Sequence, residues 1–169
     1  MGFTRYHHID TGDPRFRAVW PELVRDTRRI VEAAEARSVS VRGGWGSGPP
    51  TLTSEPIVLR DTPIGLGERE FPSGVIWLNG DQELEEDCET FGIWPEMNDR
   101  QENWFTKTEH CPYDVVVSAV LLRLKALAPE AARIGSDFWD DDGDAWSDGT
   151  RLLVDVGLAA GRPDESPDR

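Results

Sequence analysis

Residues 111–128 read CPYDVVVSAVLLRLKALA, and this stretch decides the fold. Its inner part, Val115–Leu122, is apolar on nearly every helical face, which is typical of a helix packed across a sheet. Asp114 in the first turn and Lys125 toward the end complement the helix dipole, and Pro129 then stops the helix. We therefore predict a central helix over these residues that organises the core.

A second helix is predicted near the N-terminus. Asp13 is a suitable N-cap and Pro14 suits the first helical position, where a missing N–H costs nothing. From Phe16 to Ala34, apolar residues recur at steps of three and four and form one stripe. Pro21 interrupts the pattern, so it should kink this helix or mark its true first turn.

Short β-type runs separated by Gly and Pro lie between the two helices, at 39–41, 57–59, 75–78, 90–94 and 104–108. The glycine-rich stretch 43–50 lacks the Lys-Ser/Thr of a phosphate-binding loop and is predicted to be a flexible loop. After the central helix come a short run at 133–136 and a closing amphipathic segment at 150–158.

This order of elements predicts an α+β fold. We expect a mostly antiparallel sheet of about five strands, with the N-terminal, central and C-terminal helices packed on it. One domain should span residues 1–158, and residues 159–169 should form a disordered tail.

The charge is concentrated in two blocks. The chain has 18 basic and 32 acidic residues, which gives a net charge of −14. Residues 81–100 hold eight acids against one arginine, and residues 129–169 hold eleven against four, so each block has a net charge of −7. Such acidity argues against direct nucleic-acid binding. Because the longest apolar run is too short for a membrane span and no secretory signal is recognisable, a cytoplasmic location is expected.

The acids of the second block suggest a Ca²⁺ or Mg²⁺ site, since hard cations prefer carboxylate oxygens. The spacing does not fit an EF-hand, because Gly143 in the sixth position would put Phe138 in the first. A nonstandard site would use Asp137, Asp140 and Asp142. Otherwise these acids form a solvated loop, and no cofactor is needed.

The two cysteines leave three alternatives open. A zinc site could use Cys88, His110, Cys111 and His7 or His8, although no Cys-x-x-Cys spacing supports it. A disulfide is the second alternative. In the third, Cys111 beside His110 at a helix start acts as a nucleophile.

Polar residues gather where the predicted strand ends approach the start of the central helix. They are Asn79, Glu89, Lys107, Tyr113 and Asp114. Carboxylates with one lysine could form the site of a divalent-metal-dependent hydrolase or nuclease. Helix capping and buried ion pairing explain the same residues equally well, so a catalytic site and a structural role are both open.

Seven tryptophans are many for this length. We expect Trp20, Trp77 and Trp104 in the core. The others could be exposed as binding anchors or could close small satellite cores under loops. The predicted partner-binding surface consists of Trp94, Trp139, Asp140, Asp141, Asp142, Asp144 and Trp146, with Trp45 as a further exposed candidate.

Several stretches of the chain resemble a group of uncharacterised proteins from actinobacteria and their phages. They are residues 6–11, 75–91, 105–108, 111–117 and 134–137. The resemblance implies an actinobacterial or phage origin and one compact domain, and it implies no activity. The chain departs from that group at Glu109–Cys111, where basic residues are expected, and this departure argues against a shared anion site.

These observations lead to two functional expectations. The first is a small, acidic, non-enzymatic interaction protein that binds a protein partner through its acidic, tryptophan-bearing surface; in a sharper variant, the carboxylates mimic the phosphates of DNA. The second is the metal-dependent hydrolase or nuclease that uses the clustered carboxylates.

Overall fold

The computed structural model describes residues 3–60, 67–97, 104–137 and 145–164. These residues form three α-helices, eight strands and one 3-10 turn, an α+β fold as the sequence predicts. In chain order they are β1 (Thr4–Ile9), α1 (Pro14–Glu35), β2 (Thr51–Thr53), β3 (Ile57–Leu59), β4 (Arg69–Phe71), β5 (Val75–Leu78), the 3-10 turn (Gln82–Leu84), β6 (Phe91–Ile93), β7 (Trp104–Lys107), α2 (Asp114–Leu127), β8 (Ala132–Ser136) and α3 (Ser147–Asp155). Within the described part, no helix has the length and apolar character needed to cross a membrane.

The strands form three small antiparallel sheets instead of one sheet of about five strands. Their orders are β7-β1-β8, β2-β5-β6 and β3-β4. Most of these strands have only three or four residues, so each of the three sheets is small. The strand predicted at residues 39–41 does not form, and an isolated bridge joins Arg42 to Asn79 instead.

Strand β1 is the central strand of the first sheet, and sequence patterning missed it. Tyr6 is exposed, whereas Arg5, His7 and Ile9 are buried. The strand thus alternates between its two faces, but two of its three inward residues are polar. An apolar alternation, the usual signal of a half-buried strand, is therefore missing from its sequence.

Helix α1 confirms its predicted start. The Asp13 carboxylate accepts a hydrogen bond from the Arg15 N–H, and Pro14 occupies the first turn. The helix continues through the exposed Pro21, which therefore does not mark its first turn. The predicted apolar stripe is buried against the rest of the core.

Helix α2 is the central element of the core, as predicted, but it begins at Asp114, after a turn at residues 111–113. It packs against α1, α3, β1 and β8. Helix α3 begins three residues earlier than predicted and crosses α2 closely. A Cβ on Gly149 would lie 2.6 Å from the Ser118 Cβ, so this crossing requires glycine.

The first part of the predicted disordered tail is attached to the domain. Gly161 N–H donates to the Leu122 carbonyl, and Asp164 N–H donates to the Ile134 carbonyl. The Asp164 carboxylate accepts from Ile134 N–H and pairs with Lys125. Residues 159–164 therefore pack along α2 and β8. Their polar composition indicated disorder because it does not reveal these hydrogen bonds.

Candidate functional site

Asn79 closes the acidic loop at residues 80–88. Its amide nitrogen donates to the carbonyls of Gly44 and Cys88, and its amide oxygen accepts from the N–H groups of Gly80 and Cys88. Both ends of the loop are thus fastened to one buried side chain. This predicted site residue has a structural role.

Glu89, Lys107 and Tyr113 lie together, as predicted, and stabilise one another. Lys107 N–H donates to the Glu89 carboxylate at 2.9 Å, and the Tyr113 hydroxyl donates to the Glu89 carbonyl at 2.7 Å. Burial raises the pKa of Tyr113 far above its ordinary value, so the phenol stays protonated and neutral. The Lys107 contact uses its backbone N–H and the Tyr113 contact uses the backbone carbonyl of Glu89, so both contacts have a structural role.

Asp114 joins a different group. Arg5 reaches it from β1 with two parallel hydrogen bonds, Nε to Oδ1 at 3.0 Å and Nη2 to Oδ2 at 2.6 Å. Thr108 Oγ1 also donates to Asp114 Oδ1, at 2.6 Å. The Arg5 side chain is only 2% exposed, so this is a buried, bidentate ion pair.

Two aromatic rings hold the Arg5 guanidinium. Its central carbon lies 4.3 Å from the centroid of the Phe3 ring and 4.4 Å from that of Trp146. Such cation–π contacts strengthen when water is excluded. The remaining nitrogen, Nη1, is buried and has no hydrogen-bond partner among the described residues.

A cavity of about 290 Å³ lies beside this ion pair, and we call it the Arg5 cavity. Arg5 and Asp114 contribute to its wall together with Ser118 of α2, whose buried hydroxyl also lacks a hydrogen-bond partner within the described part of the chain. The remaining wall is formed by Phe3, His110, Cys111, Pro112, Val115, Ala145, Ser147 and Asp148.

Two unpartnered polar atoms on one cavity are unusual, since roughly nine in ten buried polar groups in proteins are hydrogen-bonded. Arg5 Nη1 is a donor only, and the Ser118 hydroxyl can donate or accept. Both atoms are buried beneath the cavity surface, so residues of the Arg5 cavity hold hydrogen-bonding capacity that a ligand could use once a side chain moves.

Sequence reasoning identified Asp114 and missed Arg5, Phe3 and Ser118. Arg5 belongs to a strand that the pattern did not reveal, and Ser118 looked like one small residue inside an apolar helix. The cation is supplied by β1, more than a hundred residues before α2, and no local signal marks that pairing.

The cysteines and histidines do not form the predicted nucleophile pair. His110 stacks on the Phe3 ring, with centroids 4.4 Å apart, while the Cys111 thiol contacts that of Cys88. His7 is buried on the inner face of β1 and packs against Phe91. Among the described residues, no group of three His, Cys, Asp or Glu side chains is arranged to hold a metal ion.

Only some of the predicted metal-binding and partner-binding residues lie in the described part of the chain. Asp137 accepts a hydrogen bond from Thr4 N–H at 2.8 Å and so fastens β8 to β1. Trp139, Asp140, Asp141, Asp142 and Asp144 lie outside the described residues. A cation site at this loop stays a prediction.

Two tryptophans of the predicted surface are not free anchors. Trp94 is 6% exposed and packs with Phe71 and Trp77 in a satellite core, where Arg69 lies over its ring. Of the two alternatives for Trp94, the structure matches closure of a satellite core and not an exposed anchor. Trp146 is half-buried and stacks on Arg5.

Comparison of the chain with protein-family models, with curated proteins and with solved structures found no match.

Proposed function

We propose that this chain is a non-enzymatic binding protein and that the Arg5 cavity binds a neutral carboxamide group. The observation that carries the proposal is the pair of unpartnered polar atoms, Arg5 Nη1 and Ser118 Oγ, in the wall of one cavity. A buried donor without a partner costs roughly 1–3 kcal/mol, and a ligand oxygen that accepts from it recovers that free energy.

The charges around the cavity favour a neutral ligand over an anion. Asp114 already compensates the charge of Arg5, and the carboxylate of Asp148 belongs to the same wall. The whole chain also carries a net charge of −14. A carboxylate or phosphate would gain little from Arg5, whose charge is already compensated by Asp114, and it would be weakly repelled by the solvent-exposed Asp148.

A carboxamide matches both kinds of polar group. Its carbonyl oxygen can accept from Arg5 and Ser118, and its NH₂ group can donate to the Asp148 carboxylate. Phe3, Pro112 and Val115 supply apolar wall for the rest of the ligand. A volume near 290 Å³ is at the lower end for small-molecule sites, so the group is a small aromatic amide or one Asn or Gln side chain of a peptide.

Binding requires a small side-chain adjustment, since both unpartnered atoms are buried in the ligand-free protein. Trp146 is the side chain best suited to move. It is only half-buried, and it lies against the guanidinium just before α3. A tilt of this ring would uncover Arg5 without breaking the two hydrogen bonds to Asp114.

The proposal is tested by thermal unfolding in the presence of matched ligands. Benzamide and benzoate have nearly the same shape and differ in charge, and N-acetylglutamine amide represents a peptide side chain. We expect benzamide, N-acetylglutamine amide or both to raise the unfolding temperature, by about 3 °C at ten times Kd. Benzoate should have a clearly smaller effect.

Ser118→Ala provides the matched variant. It removes one hydroxyl and leaves the packing against Gly149 intact. The ligand-free variant should be at least as stable as the wild type, because it no longer buries an unpartnered group. Its amide affinity should fall roughly tenfold, which corresponds to the loss of about one hydrogen bond. If neither amide shifts unfolding, or if both shifts survive in Ser118→Ala, the proposal is wrong.

Loop 80–88, which belongs to the first acidic block, would add a protein contact to the amide site. Loop 80–88 exposes Leu84 between Glu83 and Glu85, and Asn79 and Asp81 fix the loop from below. A rigid loop with an apolar tip is suited to contact a partner that delivers the amide. Basic residues on that partner would complement the glutamates.

A further inference from the structure

We propose that Cys88 and Cys111 form a reversible intramolecular disulfide, which ties the end of loop 80–88 to the turn before α2. This inference does not depend on the proposed amide binding. It rests on the contact between the two sulfur atoms, on the way both backbones are held, and on the composition of the chain, which contains only these two cysteines.

The sulfur atoms are already closer than an ordinary non-bonded contact. Their separation is 2.9 Å, although the cysteines are 23 positions apart in the chain. A disulfide bond is about 2.0 Å long, so bond formation needs an approach of roughly 0.9 Å. Side-chain rotation can supply a movement of this size without rearranging the fold.

The backbone holds both cysteines in place. Cys88 N–H donates to the Asn79 amide oxygen, and the Cys88 carbonyl accepts from the Asn79 amide nitrogen. Cys111 N–H donates to the Thr108 carbonyl at 2.7 Å, and the Cys111 carbonyl accepts from Asp114 N–H. The two sulfurs are therefore presented to each other by anchored segments and do not meet by chance.

The turn before Cys111 has a conformation that a crosslink would help to hold. Glu109 and His110 both have positive φ, at 47° and 62°, and each such residue costs on the order of 1 kcal/mol. Hydrogen bonds from the N–H groups of Thr108 and Glu109 to the Phe3 carbonyl support this turn. A bond from Cys111 to Cys88 would add a covalent support.

The two sulfurs differ in their position relative to the Arg5 cavity. Both cysteines are half-buried, but Cys111 belongs to the wall of the cavity, so it is the sulfur that we expect an oxidant to reach first. Burial, followed by the hydrogen bond with Cys111, raises the pKa of Cys88 to about 12, and the nearby Glu109 and Asp87 act in the same direction. Cys88 is therefore a thiol until it reacts.

The oxidation is a thiol–disulfide exchange with a small disulfide such as oxidised glutathione. The Cys111 thiolate attacks one glutathione sulfur, breaks its S–S bond and releases one glutathione. Cys88 then gives its proton to water, attacks the Cys111 sulfur and releases the second glutathione. The protein loses two electrons and two protons, and one oxidised glutathione becomes two reduced glutathione molecules.

The test combines intact mass spectrometry with alkylation. The full chain is first reduced, then incubated with excess oxidised glutathione, and then treated with N-ethylmaleimide. We expect the oxidised chain to be lighter by two hydrogens, to take up no maleimide and to yield one peptide pair joined through Cys88 and Cys111. Dithiothreitol should restore two reactive thiols. The oxidised form should unfold about 5 °C or more higher than the reduced form.

Cys88→Ser is the matched variant. It leaves Cys111 without a partner sulfur, so the same treatment should stop at one glutathione adduct. This variant also shows that Cys111 is accessible to the oxidant. Wild-type protein that keeps two alkylatable thiols, keeps its glutathione adduct, or forms only disulfides between chains would overturn the proposal. The wild-type result decides the matter even if the variant folds poorly.

Discussion

Arg5 connects most of the interactions around the cavity. Its planar guanidinium uses two nitrogens for Asp114 and offers its faces to Phe3 and Trp146, while Nη1 has no partner in the segments that the structure describes. A lysine has neither the forked donors nor the flat faces, so it could not replace these contacts. The site therefore depends on arginine at this position.

The Arg5–Asp114 pair predicts a difference between two acid-to-amide substitutions. Asp114→Asn leaves a buried guanidinium without its counter-charge and should lower the free energy of unfolding by about 2–4 kcal/mol. Asp148→Asn breaks an exposed pair with Arg151 and should cost less than about 1 kcal/mol. Urea unfolding of both variants measures the difference. Equal effects would contradict the role given to the buried pair.

The burial of His7 should make the protein less stable at acidic pH. Burial lowers its pKa to about 3, whereas an unfolded histidine titrates near 6.5, so protons bind preferentially to the unfolded chain between these values. This residue's contribution is complete above pH 6.5 and is lost as the pH falls toward 3. Between pH 7 and 4.5, the free energy of unfolding should drop by roughly 2–3 kcal/mol more in the wild type than in His7→Asn.

Phe91→Leu is the control for this pH effect. Phe91 packs against the His7 ring but does not titrate, so the variant should be less stable at every pH and keep the wild-type slope. If His7→Asn has the same pH profile as the wild type, the buried histidine is not the cause.

At the level of elements, the helices and the strands β3, β5, β6 and β7 could be predicted, whereas β1, β2 and β4 could not. The stripe of α1 and the apolar run of α2 are long enough for periodicity to identify them. β1 carries Arg5 and His7 on its buried face, and β2 and β4 are three residues long. Their positions depend on tertiary pairing, which a local pattern does not contain.

Asp164 should contribute measurably to the free energy of unfolding, because it anchors the segment 159–164. Its carboxylate accepts hydrogen bonds from Lys125 and Ile134 N–H, so Asp164→Ala should lower the free energy of unfolding by about 1–2 kcal/mol. Asp155→Ala, which removes an exposed ion pair with Arg37, is the matched control and should cost less than about 0.5 kcal/mol. Chemical denaturation of the two variants compares them, and a neutral Asp164→Ala would show that this segment is not anchored.

At the scale of the whole molecule, not all of the acidic excess is solvated surface. Asp81 is buried under loop 80–88, where hydrogen bonds from Ser40 and from Glu83 N–H, with the charge of Arg42, hold its pKa below the ordinary value. Glu83 and Glu85 of the same loop are exposed. Segment counting located the charge correctly, but it could not separate structural carboxylates from those facing solvent.

The candidate site also combines residues that a local sequence pattern identifies with residues that only tertiary packing brings together. The sequence indicated Asp114 and the start of α2, because polar residues at a helix start are a local pattern. It could not indicate that β1 brings Arg5 there, that α3 brings Ser147 and Asp148, or that the Ser118 hydroxyl finds no acceptor. These facts arise only when distant segments pack.

The central claim is that the Arg5 cavity binds a carboxamide, and NMR of the arginine side chains tests it most directly. Benzamide is added to ¹⁵N-labelled protein, and the side-chain N–H signal of Arg5 is identified by its loss in Arg5→Lys. We expect saturable shifts of the Arg5 signal and of the Trp146 indole N–H signal, both weakened in Ser118→Ala. An Arg5 signal that does not move at saturating benzamide, or shifts confined to residues away from the cavity, would contradict it.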